Sequence, residues 1–145
     1  MKEIRTEIVI AATPQAVWGV LTDFDSYPAW NPFIQSASGR VQERERLKVF
    51  LQPPGGRGIT FRPRVLAAEP GRQLRWLGHL GIPGLFDGEH IFEIEPLNPG
   101  AVRLTQRERF AGLLLPLLWR GLDRDTRRGF ESMNRALKER AEGRG

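Results

Sequence analysis

The chain has 145 residues, 40% hydrophobic and 27% charged, which fits one compact domain with a single core. It has no cysteine, which excludes disulfides, thiolate metal sites and cysteine nucleophiles. The formal net charge is +5, but the arginines are spread along the chain without a groove-reading motif, so nucleic acid is not an expected partner.

The N-terminus, MKEIRTEIVI, lacks an apolar stretch followed by a cleavage site. The longest apolar run, residues 113–119, is interrupted by Pro116 and is far shorter than the ~20 residues of a membrane span. The expectation is a cytoplasmic protein with no transmembrane segment. Residues 3–10 alternate, with Ile4, Thr6, Ile8 and Ile10 on one face and Glu3, Arg5 and Glu7 on the other, which predicts a half-buried strand. Thr13 is a helix N-cap and Pro14 suits a first helical turn, so a helix is predicted over residues 14–22 with Val17, Trp18 and Leu21 on one face. Asp23 and Asp25 end its apolar run. Pro28 and Pro32 stop one helix from running on, which leaves a short second helix or turn up to Trp30.

From residue 34 to residue 110 the pattern is strands separated by glycine and proline turns, with strands predicted at 34–41, 45–52, 58–68, 72–80, 88–96 and 101–110. With the first strand these make seven, and their short connections imply one strongly curved antiparallel sheet. The piece from Pro53 to Gly58 reads as a flexible hairpin tip that can cover a cavity entrance. A long helix is predicted over residues 113–141, with Pro116 acceptable in its first turn. Leu115, Trp119, Leu122, Thr126, Phe130, Met133 and Leu137 form its apolar stripe. Arg120, Arg124, Arg127 and Arg128 lie on another face, read as solvated surface or as a site for an anionic partner. Gly121 and Gly129 each cost the helix about 1 kcal/mol relative to alanine, and Gly129 suits a close approach to the sheet.

Residues 12–34, ATPQAVWGVLTDFDSYPAWNPFI, combine a capped helix start, an aromatic-faced helix, an acidic break and a Trp-Asn-Pro-Phe corner. This stretch resembles the opening of the START/Bet v 1-like superfamily, in its polyketide cyclase/dehydrase-like branch. The resemblance continues in residues 61–66 (FRPRVL), 74–76 (LRW), 87–95 (DGEHIFEIE) and 104–112 (LTQRERFAG), and so covers nearly the whole chain. It implies one α+β domain over residues 1–145: a helix-grip fold whose curved seven-stranded antiparallel sheet wraps a long C-terminal helix, with two short helices after the first strand. Members of the superfamily range from allergens and lipid-transfer domains to cyclases and co-chaperones, so the fold does not name the task.

In such a fold the helix lies across the mouth of the sheet without filling it. The expected inward residues are large and aromatic: Trp30 and Phe33 at the corner, Phe61, Trp76, Phe92 and Phe110 on strands, and Trp119 and Phe130 on the long helix. Flat side chains with few rotatable bonds line apolar pockets well. The competing expectation is that they fill a core.

Polar residues interrupt that wall. His90 shares a face with Phe92 and Ile94, and Gln106 and Glu108 share one with Leu104 and Phe110. Pairing Ile94 with Val102 or Leu104 places His90 opposite Gln106 or Glu108, at a cross-strand Cβ distance of about 5 Å. A carboxylate favours the imidazolium and burial favours the neutral ring, and the sequence leaves both open. Three roles fit: a buried pair that sets strand register, recognition of a polar group on an apolar ligand, or acid/base catalysis by His90 oriented by Glu108. His79 falls on the face opposite Trp76, exposed or at the cavity mouth. Two histidines without a third ligand do not make a metal site, and no nucleotide or nucleophile motif occurs, so no cofactor is expected.

Three functions follow as expectations. The preferred one is binding of a small hydrophobic molecule (a lipid, isoprenoid or polyketide-like aromatic) by Trp30, Phe33, Phe61, Trp76, His90, Phe92, Gln106, Glu108, Phe110, Trp119 and Phe130. The second is a cyclase- or dehydratase-type enzyme in which His90 moves protons. The third is an interaction module, docking through the long helix by its arginines or its apolar start. An exposed edge strand leaves a homodimer open.

Overall fold

Ile4, Thr6 and Ile10 of β1 (Lys2–Ile10) are buried while their sequence neighbours face solvent, as the alternation dictates. The computed structural model describes residues 1–143. After β1, the Thr13 hydroxyl accepts from the Ala16 N–H at 3.1 Å and caps α1 (Pro14–Thr22). A 3-10 turn (Phe24–Ser26) and α2 (Tyr27–Trp30) follow. Tyr27 is buried, and its hydroxyl donates to the Leu21 carbonyl. Asn31 closes the corner: its Oδ1 accepts from the N–H groups of Phe33 and Ile34 at 3.0 and 2.9 Å.

Among the described residues eight strands form, in two antiparallel sheets. β2 (Ile34–Ser38), β3 (Lys48–Leu51) and β4 (Ile59–Phe61) form the smaller one. β5 (Arg64–Glu69), β6 (Gln73–His79), β7 (Asp87–Asn98) and β8 (Ala101–Ala111) join β1 in the order β1-β8-β7-β6-β5. This corrects the single seven-stranded sheet. The expected strand at 58–68 is two strands, broken at Arg62-Pro63, because Pro63 has no N–H to continue the ladder. The corner between the sheets is still hydrogen-bonded. The Leu47 N–H donates to the Pro63 carbonyl and the Val65 N–H to the Glu45 carbonyl, both at 2.8 Å. A single bridge joins Arg46 to Arg64, so the curvature is carried across the break.

α3 (Leu115–Ala141) packs on β1, β8, α1 and α2. It starts two residues later than the expected 113, after a turn in which the Leu115 N–H donates to the Gly112 carbonyl at 3.2 Å. Phe130, Met133 and Leu137 of its stripe are fully buried, and Thr126 nearly so. The close approach at Gly129 is made by Phe33, in the corner just before β2, and not by a strand of the sheet as expected. A Cβ at Gly129 would lie 2.3 Å from the Phe33 ring, which packs edge-on against Phe130 at 5.8 Å. Among the described residues no helix is long and apolar enough to cross a membrane.

The convex face of the larger sheet is a ladder of opposite charges. Arg107 pairs with Glu93 at 2.9 Å and Glu3 at 3.4 Å, and Arg103 with Glu95 at 3.2 Å and Glu7 at 3.6 Å. A register slip of one residue would carry these charges to the apolar face, so the pattern specifies the pairing that faces the two sides correctly.

Candidate functional site

Ladder register puts the inward residues of the larger sheet in rows. His90 faces Glu108 on one side and Trp76 on the other, and Phe92 faces Gln106 and Leu74. Ile94 pairs with Leu104, so of the two registers open in the sequence it is His90 opposite Glu108 that forms.

A cavity of about 480 Å³ lies between this sheet, the β3–β4 hairpin and the first half of α3. Its apolar wall comes from Phe33, Val49, Leu51, Ile59, Phe61, Trp76, Leu80, Phe86, Phe110, Leu118 and Leu122. Glu108, His90, Thr126, Asp125 and Arg57 are its polar members. Pro53, Gly56 and Arg57 of the β3–β4 connection stand on the wall, so the glycine-rich tip borders the cavity.

Six of the residues expected at the site therefore line the cavity: Phe33, Phe61, Trp76, His90, Glu108 and Phe110. Five do not. Phe92, Gln106 and Phe130 are fully buried behind the wall, where α3 lies closest to the sheet and side chains fill the gap. Trp30 packs on Tyr27 at 5.2 Å from the far side of the corner. Trp119 meets Phe110 edge-on at 6.1 Å from outside, under the Lys2 ammonium at 5.5 Å. Sequence reasoning missed Phe86, Val49, Leu51, Ile59, Leu80 and Leu118 on the wall. Val49 and Leu51 carried a period-2 signal that could have found them. His79 lies outside the cavity, where its Nδ1 is 2.6 Å from Asp87 Oδ1. Its hydrogen bond holds the Asp87 carboxyl below the usual range.

His90 is held in an aromatic cage. Its ring stacks on Phe92 at 4.6 Å and meets Phe130 and Trp76 at 5.0 and 5.1 Å. Behind it runs a buried chain of polar groups whose direction is set at one end. The Gln106 main-chain carbonyl only accepts, so the Thr6 hydroxyl 2.9 Å away donates to it. Thr6 Oγ1 then accepts from Asn134 Nδ2 at 2.9 Å, and Asn134 Oδ1 accepts from Gln106 Nε2 at 2.7 Å. That turns Gln106 Oε1 toward His90 Nε2, 2.9 Å away, and His90 must donate there. In the neutral ring Nδ1 is consequently bare. It faces Glu108 Oε1 at 3.4 Å.

Burial sets the charge of this pair. It lowers His90 to about 4, against the opposing effect of the Gln106 hydrogen bond, and raises Glu108 to about 8. Near neutral pH Glu108 is a carboxylic acid beside a neutral imidazole. Gly88, across the strand, makes room for it: a Cβ there would lie 2.3 Å from Glu108 Oε2. The site can present an O–H donor to an oxygen in the cavity, with the bare His90 nitrogen as the alternative holder of that proton.

A family model described as polyketide cyclase / dehydrase and lipid transport matches residues 1–142. Among solved structures, the chain is similar to a START superfamily protein from Mycobacterium smegmatis, at 22% identity and a TM-score of 0.75, over 97% of each chain. It is similar to the Zhui aromatase/cyclase from Streptomyces sp. R1128, at 16% identity and a TM-score of 0.80, over 99% of this chain and 94% of that one. A protein from Thermus thermophilus matches at 17% identity and a TM-score of 0.77, over 98% of each chain. No curated protein matches the chain. At these identities the likeness is one of fold.

Proposed function

The chain belongs to the polyketide cyclase / dehydrase and lipid transport family, and from that premise we propose that it binds a small, mainly apolar molecule in the cavity beneath α3. The observation that carries this reading is the wall: eleven apolar side chains with one acid–imidazole pair at the sheet. Transfer of apolar ligand surface from water contributes roughly 25 cal/mol per Å². Glu108, as a neutral acid, fixes orientation by donating to a carbonyl, ether or hydroxyl oxygen. A ligand carboxylate placed there would compete with burial and is disfavoured.

The test is titration of the delipidated protein with fatty acids, isoprenoids and polycyclic aromatics, followed by tryptophan fluorescence. Trp76, on the wall, is the expected reporter. Saturable one-to-one binding is expected, weakened by Trp76→Ala and by Glu108→Gln for ligands that carry an oxygen. No saturable response from any ligand class would overturn the proposal.

A second reading is proton transfer, favoured by one observation: the donor-free Nδ1 of His90 faces a protonated Glu108 at the cavity wall. In a cyclisation or dehydration Glu108 would deliver the proton and His90 would hold its orientation. His90→Gln would then abolish turnover of an identified ligand while leaving its binding nearly unchanged.

A further inference from the structure

Two stretches of this chain, residues 80–86 and 110–119, carry no charge, although 27% of all residues are charged. The fold sets them side by side. The N–H groups of Leu113 and Leu114 donate to the carbonyls of Gly84 and Leu85 at 3.1 and 3.0 Å. A Cβ on Gly112 would lie 2.5 Å from the Leu85 carbonyl oxygen, so the two backbones touch. The β6–β7 hairpin tip and the start of α3 are thus one packed unit.

Its outward side chains are apolar. Ile82 is 69% exposed, and Leu113 and Leu117 are 82% exposed each. One exposed leucine is ordinary; three on a single unit, continuing into the exposed Leu80 and Leu118 of the cavity rim, form a patch. Cations collar it. Arg120 lies one helical turn beyond Leu117 on the same exposed face, and Arg124 one turn further. Arg57 stands on the cavity wall that Leu80 and Leu118 also line. The nearby acids are engaged: Asp87 by His79 and the Gly84 N–H, Asp125 by Arg124 at 3.1 Å, and Asp123 by Arg127 at 3.6 Å.

We propose that this unit docks the protein on an anionic lipid bilayer. Ile82, Leu113 and Leu117 enter the boundary between headgroups and acyl chains, and Arg120 reaches the phosphates with its stem along the apolar layer. A second copy of the chain is the poorer occupant. A two-fold contact through this patch sets the cationic collar of one copy against the same cations of the other, in a chain whose net charge is already +5. An apolar ligand, if the cavity binds one as proposed above, would then pass between bilayer and cavity past Leu80 and Leu118. The docking itself stands on the surface alone.

The experiment is flotation of the full chain, without added ligand, on vesicles of phosphatidylcholine alone and of phosphatidylcholine with phosphatidylglycerol. Binding is expected on the anionic vesicles, falling with salt. Arg120→Gln should weaken it about fivefold, from the worth of one surface arginine. Ile82→Asp with Leu117→Asp should weaken it by about tenfold or more. Both apolar positions are mostly exposed, so folding should be unchanged by circular dichroism. Failure to float on either vesicle overturns the proposal, as does binding that survives the Ile82/Leu117 double variant. Light scattering that shows a dimer lost in that variant assigns the patch to a second copy and overturns it equally. Since no ligand is present, these outcomes are independent of whether the cavity binds one.

Discussion

Nε2 of His90 lies 2.9 Å from Oε1 of Gln106, and this contact decides which imidazole nitrogen carries the proton. Gln106 can present its oxygen only because Asn134 takes its NH₂ group, and Asn134 is oriented in turn by Thr6. Three elements, β1, β8 and α3, thus converge on the protonation pattern of one residue of β7.

Replacing Asn134 by leucine should therefore act at His90, which it reaches through Gln106 without touching it. Gln106 loses the partner that orients it, and a buried amide is left unsatisfied at a cost of about 1–3 kcal/mol. Denaturant unfolding should register that loss. Nitrogen chemical shifts of His90 should report a mixture of tautomers in the variant and the Nε2–H form alone in the wild type.

The acid–imidazole pair gives stability a defined pH dependence. His90 falls from an ordinary 6.5 to about 4, so its contribution is complete above pH 6.5 and is lost as pH falls toward 4. Glu108 rises from 4.5 to about 8, so its contribution is complete below pH 4.5 and is lost as pH rises toward 8. Between 4.5 and 6.5 the two slopes oppose each other, and from 6.5 to 8 only Glu108 acts. Urea unfolding of the wild type should show a loss of about 2 kcal/mol over that upper window, at about 1.36 kcal/mol per pH unit. Glu108→Gln should flatten it.

Two glycines of α3 should respond to alanine with opposite signs. Gly121 borders the cavity, and a methyl group placed there would have nothing within 4 Å, so Gly121→Ala should stabilise by about 0.5–1 kcal/mol through helix propensity. Gly129→Ala meets the Phe33 ring at 2.3 Å and should destabilise by about 1–3 kcal/mol. Urea midpoints of the two variants would settle the signs.

Gly88→Ala tests the space around the carboxyl. Its Cβ would displace Glu108 Oε2, since 2.3 Å leaves no room for both. Binding of an oxygen-bearing ligand should weaken, while that of a pure hydrocarbon should change less, as read by tryptophan fluorescence.

Trp76 and Phe92 should separate binding from folding. Phe92 is fully buried off the cavity, and Phe92→Ala should cost about 3–5 kcal/mol of stability. Trp76 is on the wall, and Trp76→Ala should show a larger fractional loss of ligand affinity than Phe92→Ala does. Comparing ligand titrations with urea unfolding for both variants checks the division.

Periodicity in the sequence by itself determined most strands though not the break at Arg62-Pro63, the stripe of α3, the capped α1 and the shared face of His90, Gln106 and Glu108, because side-chain direction follows from a period of 2 or 3.6. The opening motif determined the family. Only the tertiary structure decided depth along each strand. Phe92 and Phe110 point the same way, yet Phe92 is fully buried off the cavity while Phe110 stands on its wall. It also decided the partners of His90. Thr6 and Asn134 are 128 residues apart and meet only because α3 crosses β1, a contact that no local period encodes.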